Sequence, residues 1–325
     1  MNVGRAQEGL NRREFLVQSA AATATLLAAR GIGLAAPGGP TVVIVRDKTK
    51  KVIENFEVDA KIAQALVDKA VMTLAGKDDV TKAWAAYVRP KDKVAIKFNG
   101  LFARATTHGE VINAITDGLL KAGVEPGNIV VYDRSDGDAA KSGLKISRDP
   151  KIIQVVGTGG NLGPDVKAGS IGTKLSKHLL DADVLINVPI MKSHHRCSST
   201  GALKNHLGSI PNAGSFHADC CAAIANLNTL GPIKEKTRLC IADALYSLYD
   251  GGPGFQPRSR FDYFGVLAAT DPVAIDAVMD DILRAKREEK GLSPHNNKPI
   301  HIARAAELGL GQADLKNINR VDVEV

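Results

Sequence analysis

The 325-residue chain is poor in aromatic residues, at 4% with one tryptophan, and poor in cysteine, with four. So few aromatics leave no surface on which successive bases could stack. Lys and Arg total 42 against 35 Asp and Glu, a formal charge of +7, yet they are scattered rather than bunched, and a nucleic-acid role gains little support. Four cysteines, two of them adjacent, give neither the run that ligates an iron–sulfur cluster nor the spacing of a zinc finger or ribbon. The Gly-x-Ser-x-Gly, HExxH and Walker patterns are missing too. What is present is a hydrophobic fraction of 44% with 24% charged residues, the balance of a globular protein with a core.

Residues 1–36 read as an address rather than as fold. Asn11-Arg12-Arg13-Glu14-Phe15-Leu16 is a twin-arginine motif, followed by a weakly apolar stretch from Val17 to Ala29 and small residues around Ala35 for cleavage. That stretch is shorter than the ~20 residues that span a bilayer, so no stable membrane span is expected after cleavage. The expected destination is the periplasm, reached through the twin-arginine export machinery. Such signals carry proteins already folded, often around a cofactor, and the compartment permits disulfides. Losing Arg5, Arg12, Arg13 and Arg30 against Glu8 and Glu14 lowers the formal charge of +7 by two, which still favours anionic small molecules as ligands.

Beyond the Pro37–Pro40 linker, apolar runs alternate with helical periodicity. Strands are expected at 41–47, 94–99, 129–132, 152–156, 184–188, 239–242, 263–269 and 320–325. Helices are expected at 57–74, 107–121, 171–180, 217–230, 271–286 and 300–308. Thr107 and Glu110 have capping-box spacing, and Asp271-Pro272 is an N-cap followed by proline at the first helical position. The pattern predicts an α/β fold, a mainly parallel sheet flanked by helices with Rossmann-like halves, as one domain over 37–325 whose lobes meet near 184–221. Ligands of such sheets sit beyond the carboxyl ends of the strands. Asn99, Asp133, the loop after Val188 and Asp243 should therefore converge at one edge.

The stretch from Val184 to Cys221 holds four of the eight histidines and three of the four cysteines. His217 and Cys221, four apart on an expected helix, would share a face, with Cys220 close by. Together with His194 or His195 and Cys197 from the preceding loop they make candidate ligands of a mixed N/S metal site, for nickel, iron or zinc; a prebuilt organic cofactor is the other option. The alternative is a disulfide from Cys197 to Cys220 or Cys221. Lys192 and Lys204 are candidate catalytic or anion-holding lysines, and His108 is a candidate acid or base. Lys97, Asn99, Asn205 and Asp243 are candidate substrate-binding groups. Gly157–Gly163 looks like a phosphate loop, but Pro164 and Gly169 break the helix it would need.

Several of these segments resemble the family called domain of unknown function 362: Lys97-Phe98-Asn99, Thr107-His108, Asn187-Val188-Pro189, Lys192-Ser193-His194, Thr200 to Asn205, Gly208, His217, and Asp271 to Asp276. The match runs from about Thr41 to Leu283. Some members carry a ferredoxin-like cysteine-rich tail; this chain does not, which argues against an iron–sulfur relay of its own. A more local similarity, in His108, His194 or His195, Lys204 and Gly208, is to nickel-dependent lactate racemases. That likeness implies a histidine pair for proton exchange and a lysine that holds a nickel-bearing nucleotide.

These readings combine into one expectation and two alternatives. The expectation is an exported metal- or cofactor-dependent enzyme acting on a small anionic substrate, by racemase-like or redox chemistry. The alternatives are a non-catalytic periplasmic metal carrier and an anion-binding solute protein.

Overall fold

The computed structural model describes residues 38–218 and 221–325; the twin-arginine segment and Cys220 lie outside the described residues. Eight strands make the main sheet: β1 (Thr41–Arg46), β2 (Val94–Phe98), β3 (Ile129–Asp133), β4 (Gln154–Gly157), β5 (Val184–Val188), β6 (Thr237–Leu248), β7 (Arg260–Ala269) and β8 (Asn319–Glu324). Their spatial order is β8-β1-β7-β6-β5-β2-β3-β4. All neighbours pair in parallel except those of β7, which runs antiparallel to both β1 and β6. The fold is thus mixed α/β with a large, mostly parallel sheet flanked by helices.

The sequence of the central strands explains this. Every residue of VAIKF in β2 and VLINV in β5 is buried, as expected where helices cover both faces of a parallel sheet. Alternation along β1 sends Val43 and Val45 to one core and Val42 and Ile44 to the other. The first core is closed by helices α1 (Ala60–Ala75) and α2 (Gly109–Lys121), through residues such as Leu66, Val67, Ile112 and Ile115. The second is closed by α3 (Pro272–Glu289), through Ile275, Val278 and Leu283. Asp271 caps α3 by accepting from Val273 N at 2.8 Å and Ala274 N at 2.9 Å, with Pro272 at the first turn.

Three local expectations are corrected. Residues 171–180 form the strand Ile171–Ser176, paired with Leu162–Ala168, before a short helix Lys177–Asp181. The glycine-rich run 157–163 therefore feeds a strand and has no helix terminus to offer a phosphate. Residues 217–230 do not form one helix: a 3-10 turn ends at His217, Cys221 takes a positive φ of 70°, and the helix covers only Ala223–Asn228. Helix α2 is capped at His108 rather than Thr107. The Thr107 hydroxyl instead accepts from Asn99 N and donates to Val188 O, each at 3.1 Å, tying two strand ends together.

Candidate functional site

The floor of the site is made where β2, β3 and β5 end. Lys97 lies opposite Asn187 on one neighbouring strand and Tyr132 on the other, so all three side chains share the α3 face. Lys97 Nζ sits 2.6 Å from Asp133 Oδ1, in a pair that is almost wholly buried, and also donates to Phe98 O and to Asn205 Oδ1. Asp133 is held in turn by Gly100 N at 2.6 Å. Asn205 Nδ2 donates to Lys97 O and Asn187 Oδ1, both at 2.8 Å, and Asn187 Nδ2 contacts His206 Nε2 at 3.1 Å. At Gly208 a Cβ would come 2.1 Å from Asp133 Oδ1 and 2.7 Å from Lys97 Nζ, so only glycine lets the backbone pass over the pair.

One wall is a small hairpin, Lys192–His194 against Ser198–Thr200, in which Lys192 lies across from Thr200. Period-two alternation puts Lys192, His194 and Thr200 on the pocket side, while Ser193 turns away to accept from Gly252 N. Lys192 Nζ donates to Asn99 Oδ1 at 3.2 Å and to Ala105 O, and lies over the Phe102 ring at 5.6 Å. The chain then turns at Gly201 into the short helix Ala202–Asn205, whose first amides are taken by the buried Asp276 carboxylate. Lys204 Nζ donates to His217 Nε2 at 3.0 Å, and His217 Nδ1 donates to Ala213 O at 2.9 Å. Neither Lys192 nor Lys204 makes an ion pair with a described residue.

The electrostatic result is a cavity of about 260 Å³ with excess positive charge. Burial pushes the Lys192 ammonium down to about 7, helped by the nearby Lys204 charge. Burial alone pushes Lys204 to about 7. His194 falls to about 2, from burial and then the neighbouring cations, and His217 is lowered for the same reasons. Lys97 is also pushed down by burial, but Asp133 pulls it back part of the way.

The structure thus brings Lys97, Asn99, Lys192 and Lys204 to one pocket, with Asn205, His194 and His217. His108 and Asp243 do not line it. They form a pair of their own, with Asp243 Oδ2 2.7 Å from both the His108 backbone N and Nδ1. Asp243 lies within β6, which runs on past it; the expected strand end at that residue is not there. Burial pushes the His108 imidazole down, but the Asp243 carboxylate more than compensates and the net shift is upward. His195 is exposed, with Nδ1 on Gly252 O and its ring stacked on His194.

Ligand atoms of His194, Cys197 and His217 come within 4.8 Å of one another, a group that could hold a metal ion. The donor set fits only in part. Cys197 is joined to Cys221 in a disulfide, so neither offers a thiolate in this form, and His217 Nε2 is taken by Lys204. Cys221 therefore enters the site as the partner of Cys197 rather than as a ligand. Cys197 was open to either role, metal ligand or disulfide partner, and it takes the second; Thr200 was not singled out as a site residue. Reading Lys192-Ser193-His194 as one arm of a hairpin would have found Thr200, since its partner strand must face the same way.

The profile of the family described as domain of unknown function (DUF362) matches residues 94–281, more than half of the chain and every element just described from β2 to the heart of α3. The chain belongs to that family. A thylakoid-associated protein of Synechocystis sp. is 31% identical over 236 residues, 64% of this chain and 71% of that protein. A crystal structure of a Thermotoga maritima protein aligns at a TM-score of 0.41 and 12% identity over 78% of this chain, which spans 60% of that structure's length. In DUF362 terms, the pocket draws its residues from the matched region alone.

Proposed function

We propose that this protein is an exported enzyme that binds a small anionic molecule in the lysine pocket and moves a proton on it, Lys192 and Lys204 serving as anion-holding and acid–base groups. The observation that carries the reading is the convergence of the buried Lys192 and the half-buried Lys204, unpaired with any described carboxylate, on one cavity beyond the strand ends. Such ammonium groups are costly to bury unless an anion joins them. With ordinary values brought down to about 7, each is able to exchange a proton near neutral pH. Asn99 fixes Lys192, His217 fixes Lys204 and Asn205 fixes Lys97, and the His108–Asp243 pair anchors the end of the 99–108 loop that carries Asn99 and Phe102.

In the metal-dependent form of this reading, His194 and His217, with Cys197 once reduced, would hold the ion, which would act as a Lewis acid. The disulfide-bonded form lacks the thiolate, and no step here passes through a metal. Export is supported by the twin-arginine motif, by the disulfide and by the thylakoid association of the Synechocystis relative. Replacing Arg12 and Arg13 by lysine should leave the protein in the cytoplasm.

The activity test is deuterium uptake from D2O, by NMR, into lactate, malate and 3-phosphoglycerate. Exchange in at least one, lost in Lys204→Met and Lys192→Met, is the expected result. Binding without exchange in any of the three would reduce the protein to a solute-binding role.

A further inference from the structure

Resting on the pocket being an anion site, we propose that its ligand carries a phosphoryl group, held as a dianion between Lys192, Thr200 and Lys204. The observation that leads there is the Thr200 hydroxyl. It is 3% exposed, lines the pocket, and has no hydrogen-bond partner among the described residues. A buried hydroxyl in a native protein nearly always has an acceptor, and an anionic oxygen in the cavity supplies one. Thr200 stands directly across the hairpin from Lys192, and Lys204 follows four residues later on the adjoining helical turn. Three donors therefore line the same cavity, two from facing arms of the hairpin and one from the helical turn that follows it.

The charge count sets the valence of the head group. Lys97 is neutralised by Asp133 at 2.6 Å and has its donors engaged, so two cations remain for the ligand. The donor types choose between head groups. Planar carboxylates are best met by the arginine fork, whereas lysine acts on phosphate as a point charge. The arginine on the pocket wall, Arg134, directs its Nε to Asp138 at 2.9 Å. The amides of Ala202 and Leu203 are filled by Asp276, so this is a side-chain site and not a helix-terminus one. Phe102, Leu207 and Pro253 supply apolar wall beside the cations, room for the organic part of a phosphate monoester.

The test is calorimetric titration of the exported, disulfide-bonded protein with inorganic phosphate, phenyl phosphate, succinate and acetate. Both phosphoryl ligands should bind more tightly than either carboxylate. A further gain of about ten-fold for phenyl phosphate would mark an ester as the physiological source, and equal affinities the free ion. Thr200→Val should weaken phosphate by about ten-fold or more, the loss of a hydrogen bond to a charged group. The same substitution should not lower Tm, because the hydroxyl it deletes has no partner in the unliganded protein. Lys204→Met should weaken phosphate at least as much. Phosphate affinity unchanged in Thr200→Val overturns the proposal. Carboxylates binding in preference to phosphoryl ligands also overturns it while leaving the anion-enzyme reading standing, whereas no binding of any anion defeats both.

Discussion

Lys97 and the pair Lys192 and Lys204 line one cavity, the first two buried and Lys204 half-buried, and have opposite surroundings. Lys97 has a carboxylate at 2.6 Å, an asparagine and a carbonyl; every charge near it is answered by the protein. Among the described residues Lys192 and Lys204 have only neutral partners: Asn99, Ala105 O and His217. The same division runs through the histidines. His108 has Asp243 and is shifted up, while His194 and His217 face cations and are shifted down. Charges that the fold satisfies belong to its architecture, and charges that it leaves open are where a ligand completes the structure.

The largest effect should come from converting the satisfied class into the open one. Asp133→Asn keeps the shape but strands Lys97 in the core, and breaking a buried pair in this way costs about 3–5 kcal/mol. Urea unfolding should show that loss. The double change Lys97→Met with Asp133→Leu should recover most of it, since no charge is then left unanswered. A single mutant as stable as the wild type would mean that Lys97 needs no partner, and the distinction between the two classes would dissolve.

The second effect is smaller and of opposite sign. Lys192 has its folded-state pKa depressed from 10.5 to about 7 by burial, so its charged form opposes folding. That penalty is complete below about 7 and disappears as pH rises toward the unfolded value. Lys192→Met should therefore stabilise the unliganded protein by about 2 kcal/mol at neutral pH, after allowing for lost hydrogen bonds, and by less at pH near 10. Stability gained where binding is lost is the signature of a functional site. A Lys192→Met protein that unfolds more easily than the wild type at pH 7 would make this lysine architectural after all.

How much of this was legible in the sequence depended on the length of the element. The central strands are mostly apolar five-residue segments, and Lys97, Asn99 and Asp133 were readable as strand-end groups because the apolar runs stop there. The 171–180 segment misled for a physical reason. Ile171, Leu175 and Leu179 lie four apart, which fits one helix face, but Ile171, Thr173 and Leu175 also lie two apart, and the turn at Gly169, with φ of 62°, selects the hairpin. The functional hairpin has arms of three residues, too short for periodicity to register, so Thr200 stayed hidden. The adjacency of Cys220 and Cys221 left the disulfide partner undetermined. Only the chain's path after His217, with Cys221 at positive φ, selects Cys221.

The smallest predicted effect tests the satisfied class at His108. Burial lowers its pKa and Asp243 raises it by more, so the folded value lies above the ordinary 6.5. A raised folded-state value means that the pair's stabilisation is complete below about 6.5 and fades as pH climbs through the folded pKa. The imidazole Cε1 proton should accordingly titrate above 6.5 by NMR in the wild type. Asp243→Asn keeps an oxygen for His108 N but puts an NH2 where the second oxygen accepted from Leu245 N, and its charge is gone, leaving burial as the largest influence on the ring. The midpoint should then drop below 6.5, and the stability contribution of His108 should reverse its slope, rising with pH instead of falling. The expected difference is about 1–2 kcal/mol between pH 5.5 and 8. Identical midpoints in the two proteins would show that the carboxylate does not govern this imidazole, and His108 would join the open histidines as a group waiting for a ligand.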